Sequence, residues 1–276
     1  MKMKPIVKLI PALLLILTVS GLGLAKTLFG SFGLWSDAGT SHASLASYQQ
    51  VSNSALSALL LSITLGTIST LLAALLGLAI AYEIHMAYRF SPILALVTGL
   101  IVVTPHLVTA VSFNFLLGDA GLLARFFHSF IPSWPQFVAG PLWLSVIFDF
   151  AWKESAFIAL VLLASVPVEM RDMKFTARML GTKPFQMATR VLLPSVKYPL
   201  IISSALAFIY SIGSYEVTWI LGRTYPEPLA NMTFRLFSDS NLTQRPAAYA
   251  SAVLSIILIA IIGVTVTFFL PRRSRR

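Results

Sequence analysis

Long apolar runs separated by short polar segments dominate the sequence. A run of about 20 apolar residues is long enough to cross the hydrocarbon core of a bilayer as an α-helix. Six segments of that kind fall at residues 6–25, 53–82, 92–117, 141–166, 198–221 and 247–270. The pattern predicts an all-α integral membrane protein with six transmembrane helices, folded as a single domain over residues 1–276.

The first run has two interpretations. It follows Lys2, Lys4 and Lys8 and ends near Gly23-Leu24-Ala25, a combination also typical of a cleaved secretory signal peptide. We favour an uncleaved first span, because further membrane segments follow and the run is long enough to cross.

Smaller features mark the segments between and within the runs. Residues 26–52, 118–140 and 222–246 are more polar and predict outer loops, the second containing a short interfacial helix over residues 122–127. Pro105 lies inside the third run and predicts a kink, because proline cannot donate the helical hydrogen bond.

Composition and charge support a membrane location. The chain is 57% hydrophobic and 11% charged, whereas soluble domains carry about 25% charged residues. Fourteen lysines and arginines fall in segments assigned to the inside, and five in those assigned to the outside. Because basic residues accumulate on the cytoplasmic side, we expect both termini there. A net charge of +10 does not indicate nucleic acid, because these residues flank the apolar runs.

The longest polar interruption covers residues 167–194 and predicts two short helices. Gly181 is suited to ending the first helix. Thr182 can cap the second, which has Pro184 in its first turn. Pro194 is expected to stop that second helix.

The first of these two helices has three faces. An apolar stripe comprises Met170, Met173, Ala177 and Leu180; a basic stripe comprises Arg171, Lys174 and Arg178; and a second apolar face comprises Phe175 and Met179. Two apolar faces suggest a helix held between its own membrane domain and another protein. The alternative is an amphipathic helix lying on lipid headgroups, with the arginines facing anionic lipid.

This segment resembles the EAA loop of binding-protein-dependent ABC importer permeases of the type I, MetI-like class. The matching residues are Ala177-Arg178-Met179-Leu180-Gly181 and Val191-Leu192-Leu193-Pro194, while Phe175 and Thr176 stand where the motif has Glu and its first Ala. The resemblance extends from about residue 53 to residue 252, through Pro105, Gly121-Leu122-Leu123, Trp152-Lys153, Tyr215-Glu216 and Leu221-Gly222. The last two pairs resemble the branch that imports polyamines, ferric iron, thiamine or sulfate-like anions.

The resemblance implies a permease subunit in the bacterial inner membrane that works by alternating access. It implies cytoplasmic ABC ATPase subunits, a second permease subunit (the same chain or a homologue) and an extracytoplasmic solute-binding protein. ATP and Mg would be bound by the ATPase. The residues assigned to ATPase coupling are Met170, Arg171, Lys174, Phe175, Ala177, Arg178, Met179, Gly181 and Pro194.

The sequence gives no support for a catalytic or cofactor-binding site. It contains no Walker A, His-Glu-x-x-His or Gly-x-Ser-x-Gly motif. It has no cysteine, and its four histidines are scattered, which gives a metal site little support. We therefore expect a transport subunit rather than an enzyme, with no cofactor bound by this chain.

Charged residues inside the predicted spans are candidates for the solute pathway. Asp149, Lys153 and Glu154 lie in the fourth run, and Glu216 lies in the fifth. A charge at mid-bilayer costs roughly 3 kcal/mol, so it should face a cavity or a partner. Asp149 and Lys153 are four residues apart and could instead form an ion pair that fixes the helix. The four charges sum to −2, a hint of a cationic or metal-bound substrate.

Two other classes of protein remain as alternatives. A secondary transporter or channel would work without an ATPase, and would show internal repeats and paired broken helices. A membrane-bound enzyme would need a catalytic group of residues at one interface. The sequence shows neither feature.

Overall fold

A computed structural model describes residues 5–35, 42–87, 91–131, 133–166 and 170–269. Within this part of the chain the regular elements are helices, and no β-strand occurs. The α-helices are α1 (Pro5–Ser31), α2 (Ala46–Tyr82), α3 (Ser91–Val103), α4 (His106–Leu117), α5 (Leu122–Phe127), α6 (Leu144–Ser165), α7 (Met170–Met179), α8 (Pro184–Met187), α9 (Leu193–Gly213), α10 (Glu216–Leu221), α11 (Leu229–Phe237) and α12 (Arg245–Phe269).

Several basic residues used to predict the orientation lie outside the described residues. They are Lys2, Lys4, Arg89 and the four arginines after residue 270, and Pro167 at the predicted start of the polar loop lies outside as well. The cytoplasmic location of the termini therefore stays a prediction.

Length and composition identify membrane-spanning candidates among the described helices. Five stretches are long and apolar enough to cross a membrane: Leu9–Ser31, Ala46–His85, His106–Phe127, Pro184–Gly213 and Leu242–Phe269. Helix α6 has 22 residues, about 33 Å at 1.5 Å per residue, but it carries Asp149, Lys153 and Glu154. The number of six spans stays a prediction.

The centre of the fold is the contact between α2 and α6, with α9 packed against both. Small residues let the helices approach closely, as is usual in membrane bundles. A Cβ placed on Gly77 of α2 would lie 2.8 Å from Ile158 Cγ2 and 2.9 Å from the Ser155 carbonyl oxygen of α6. Buried Ala73, Ile158 and Leu192 belong to the apolar core at this contact.

The predicted kink at Pro105 is confirmed. Helix α3 ends at Val103 and α4 begins at His106, with Pro105 extended between them as the N-cap residue. The predicted short helix in the second loop is also present, as α5 (Leu122–Phe127).

The prediction that Pro194 stops a helix was wrong. A π-turn (Ala188–Leu192) joins α8 to α9, and the helical stretch Pro184–Gly213 runs through Pro194 without interruption. Pro194 is the second residue of α9 and directly follows the π-turn, where the hydrogen-bonding register of the helix changes. We call this stretch the α8–α9 helix; it begins 14 residues before the predicted fifth span and ends at Gly213.

The turn between α7 and α8 is partly as predicted. Gly181 has a positive φ of +71°, and the N–H of Thr182 donates to the Ala177 carbonyl at 3.1 Å, the pattern of a Schellman C-cap. Pro184 occupies the first turn of α8, as predicted. Thr182 does not cap that helix: Lys183 is the N-cap residue, and the Thr182 hydroxyl donates to the Ala177 carbonyl.

Three loop boundaries also differ from the prediction. Helix α1 continues to Ser31 and α2 begins at Ala46, which shortens the first polar loop. Residues 222–246 contain α11 (Leu229–Phe237), whose apolar side packs against α2 and α12. The chain breaks after Gly213 and restarts as α10, so Glu216 lies outside the long helix rather than in the fifth span.

Candidate functional site

The ammonium group of Lys153 caps the broken end of α3. Its Nζ donates to the carbonyl oxygens of Ile101 at 2.5 Å, Val102 at 3.0 Å and Thr104. The helix break frees these carbonyls, because Pro105 has no N–H to donate to Ile101. A cation at a helix C-terminus also complements the negative end of the helix dipole. Lys153 therefore fixes α6 to the break between α3 and α4.

No ion pair joins Asp149 and Lys153 within the described residues. Asp149 is fully buried, and neither of its carboxylate oxygens accepts a hydrogen bond from the described part of the chain. The lysine is directed to the α3 carbonyls instead, which the sequence could not show because these residues are 49 to 52 positions away.

Glu154 faces a cavity between α3, α4, α6 and α9. The cavity has a volume of about 310 Å³ and is lined by Val102, His106, Lys153, Glu154, Phe157, Leu206 and Tyr210. Glu154 Oε1 lies 3.8 Å from His106 Nε2, and the His106 and Tyr210 rings lie 4.2 Å apart. His106 and Tyr210 were not predicted as site residues; the position of His106 directly after Pro105 was the available signal.

Glu216 is separate from this cavity. It is half-buried at the first residue of α10. The structure therefore groups three of the four candidate pathway charges on α6 and places the fourth elsewhere.

Lys174 does not belong to an exposed basic stripe. It is 4% exposed, and its Nζ donates to the His85 carbonyl oxygen at 3.0 Å, at the π-turn (Glu83–Ala87) that ends α2. Ala177 is half-buried and packs against the core formed by α2, α6 and α9. These contacts attach one side of α7 to the bundle.

The other side of α7 and the start of α8 are apolar and exposed. We call this surface the exposed apolar patch; it consists of Phe175, Met179, Leu180 and Phe185, which are between 69% and 80% exposed. Leu180 was predicted to share the stripe of Ala177 but follows the helix end and is open. The side chains of Met170, Arg171 and Arg178 lie outside the described part of the structure.

A second cavity lies near the other end of the bundle. It measures about 390 Å³ and is lined by residues of α10, α11 and the segment between them, including Trp219, Arg223, Tyr225 and Asn231. Arg235 and Glu227 form an ion pair at 2.6 Å on its edge. The hydrogen bonds to Glu227 raise the pKa of Arg235, so the guanidinium stays charged.

The start of α11 is fixed to α2. The Leu229 N–H donates to Ser62 Oγ at 2.8 Å in a buried position. The buried Thr218 hydroxyl donates to Asn231 Oδ1 at 2.5 Å, which joins α10 to α11. Polar bonds of this kind between helices fix their relative positions in an apolar surrounding.

Comparison with known proteins gives one curated relative of note. No family model matches the chain. The chain is 29% identical over 227 residues to the inner membrane ABC transporter permease protein YnjC of Escherichia coli (strain K12). The match covers 80% of this chain and 42% of that relative, so the chain corresponds to less than half of its length.

Solved structures with similar folds belong to ABC transporters. A bacterial ABC transporter involved in the import of the acidic polysaccharide alginate has a TM-score of 0.74 at 16% identity, covering 95% of this chain and 93% of that one. An amino acid ABC transporter solved with histidines has a TM-score of 0.57 at 17% identity, covering 81% and 96%. The chain is therefore similar in sequence to one ABC transporter permease and shares its fold with chains of ABC transporters.

Proposed function

We propose that this chain is a transmembrane permease subunit of an ATP-driven ABC importer. The fold shared with the alginate and amino acid importers supports the assignment, as does the similarity to an inner membrane permease. The multi-pass location in a bacterial inner membrane follows from the same similarity and from the long apolar helices. The chain would form the solute pathway by alternating access.

The observation that carries this proposal is the exposed apolar patch. Phe175, Met179, Leu180 and Phe185 leave a large apolar surface open, and a surface of this kind indicates an interaction site. Exposed Lys183 and Arg190 lie on the same segment. We assign the patch to docking of a cytoplasmic ABC ATPase, the role that the EAA resemblance implies.

The contacts on the opposite side of α7 explain how docking of the ATPase would be transmitted to the helix bundle. Lys174 holds α7 to the end of α2. The turn at Gly181 joins α7 to the α8–α9 helix, which packs against α2 and α6. A push on the patch would therefore move both α2 and α9, and with them the cavity beside Glu154.

Three protein partners complete the proposed assembly. They are the ATPase subunits that bind ATP and Mg, a second permease subunit of the same or a homologous chain, and an extracytoplasmic solute-binding protein. The alginate importer was solved in complex with an alginate-bound periplasmic protein, which supports the third partner by analogy.

Co-purification tests the assignment. The chain solubilised from its native membrane should bring down a protein that carries a Walker A motif, and the double variant Phe175→Glu, Met179→Glu should lose it. A matched control is Phe126→Glu, Phe130→Glu, because these residues are 72% and 81% exposed but lie at or after α5. That control should retain the ATPase.

The same experiment separates the alternatives. A secondary transporter or channel would co-purify with no such protein. A helix that only rests on lipid headgroups would leave ATPase recovery unchanged in the double variant. Either result would contradict the proposed role of the patch.

A further inference from the structure

The cavity beside α6 is lined by one carboxylate, that of Glu154, and one ammonium group, that of Lys153. The two groups differ in how far the surrounding protein satisfies their hydrogen bonds. The three carbonyl oxygens at the end of α3 already use the three N–H groups of Lys153. The lysine therefore has no donor left for a solute.

Glu154 lines this cavity without accepting a hydrogen bond from the described residues, and the buried His106 Nδ1 also has no hydrogen-bond partner there. Glu154 is 6% exposed. No hydrogen bond from any other described residue reaches its carboxylate, and His106 Nε2 is 3.8 Å away, beyond hydrogen-bond distance. A buried, unsatisfied carboxylate costs free energy unless a cation or a donor meets it.

The remaining walls are apolar or aromatic. Val102, Phe157 and Leu206 form the apolar part, and Tyr210 presents a ring next to His106. Aromatic rings attract organic cations through their faces. A volume of about 310 Å³ suits a small organic molecule.

A bare metal ion fits this lining poorly. Within the described residues no group of three or more His, Cys, Asp or Glu side chains comes together. Metal sites in proteins need several such ligands, whereas one carboxylate with aromatic and apolar walls suits an ammonium group that carries carbon substituents.

Resting on the proposed transport function, we propose that this cavity binds a small organic cation of the amine or quaternary ammonium class. Glu154 supplies the counter-charge, Tyr210 supplies the aromatic face, and Lys153 takes no part in binding beyond holding α3 in place. The solute that passes through this protein carries a positive charge on a partly apolar body.

Binding to the purified full-length chain in detergent micelles tests this inference without any partner. The probes are choline and 3,3-dimethyl-1-butanol, which have the same shape and differ in one positive charge, and affinity is measured by titration calorimetry. We expect choline to bind about tenfold more tightly or better, because a hydrogen bond or contact to a charged group is worth that much.

Two variants and one control variant assign the difference in affinity to the cavity. Glu154→Gln keeps the shape and should abolish the preference for choline, while Asp119→Asn, an exposed carboxylate in the loop after α4, should keep it. Tyr210→Leu removes the aromatic face and should weaken choline binding several-fold, about the size of one cation–π contact. Unchanged unfolding profiles show that each variant is folded.

The outcomes distinguish the two proposals. Equal affinity for the two probes, or a choline preference that survives in Glu154→Gln, overturns the cation site. Absence of an ATPase from the co-purification of the unmutated chain overturns the importer assignment but leaves the binding result standing.

Discussion

Lys153→Met removes the ammonium group that caps α3 while keeping a side chain of similar length. Three carbonyl oxygens, those of Ile101, Val102 and Thr104, would then lose their donor. An unsatisfied buried carbonyl costs about 1 kcal/mol or more, so the substitution should lower the free energy of unfolding by about 3 kcal/mol. The exposed lysine of α9 offers a matched control: Lys197→Met loses a cation–π contact with Tyr198 and should change the free energy of unfolding by less than about 1 kcal/mol.

A double-mutant cycle with Pro105 tests whether the lost stability comes from carbonyl oxygens left without a donor. Pro105→Ala supplies an N–H to the Ile101 carbonyl, so one of the three oxygens no longer depends on the lysine. The cost of Lys153→Met should then fall by about 1 kcal/mol. The measurement is unfolding of the purified chain in mixed micelles as the fraction of denaturing detergent rises. Additive effects, or a Lys153→Met variant as stable as Lys197→Met, would refute the capping role.

The turn at Gly181, the α2–α6 contact and the α2–α11 hydrogen bond can each be tested by a single substitution. Gly181→Asp places a side chain at φ +71°, at a cost of about 1 kcal/mol, and should abolish ATP-driven solute uptake while the amount of chain in the membrane is unchanged. Gly77→Ala overlaps α6 and should lower the free energy of unfolding by about 1–3 kcal/mol, whereas Gly99→Ala, with nothing within 4 Å, should not lower it. Ser62→Ala leaves the first N–H of α11 buried without its acceptor and should cost about 1–3 kcal/mol, whereas Ser57→Ala, exposed and bonded within its own helix, should be close to neutral.

Each of these has a result that contradicts it. Normal uptake by Gly181→Asp would show that the turn need not keep its left-handed conformation. Equal stability of the two glycine variants would show that α2 and α6 can separate at no cost. A Ser62→Ala variant as stable as Ser57→Ala would mean that another group accepts from α11.

The sequence predicted the features that depend on local chemistry. Apolar runs predicted helices, since a long apolar segment in lipid must satisfy its backbone internally. Pro105 and Gly181 predicted the kink and the turn, because each residue restricts or permits backbone conformations by itself.

The sequence could not predict features that depend on distant partners. The i, i+4 spacing of Asp149 and Lys153 allows an ion pair, but the α3 carbonyls freed by the kink compete for the same ammonium group. Lys174 shares a helical stripe with arginines, yet a carbonyl at the end of α2 draws it into the bundle. In both cases a lysine caps a helix end, and sequence spacing carries no information about which helix end lies nearby.

The prediction that Pro194 ends a helix was also wrong, because the effect of a proline on a helix depends on its position. Pro194 directly follows a π-turn, where the hydrogen-bonding register of the helix changes, and the helix continues through it. Pro199 lies inside α9 and does not end the helix either, so a proline in the sequence does not by itself mark a helix end.

The uninterrupted α8–α9 helix has a mechanical consequence. Its 30 residues form a lever about 45 Å long, with Phe185 near one end and Gly213 at the other. A tilt imposed at the Phe185 end is transmitted to the Gly213 end through the helix itself, with no loop in between. The continuous helix stops where the chain breaks before Glu216, so along the chain α10 is joined to this lever through the non-helical residues Ser214 and Tyr215.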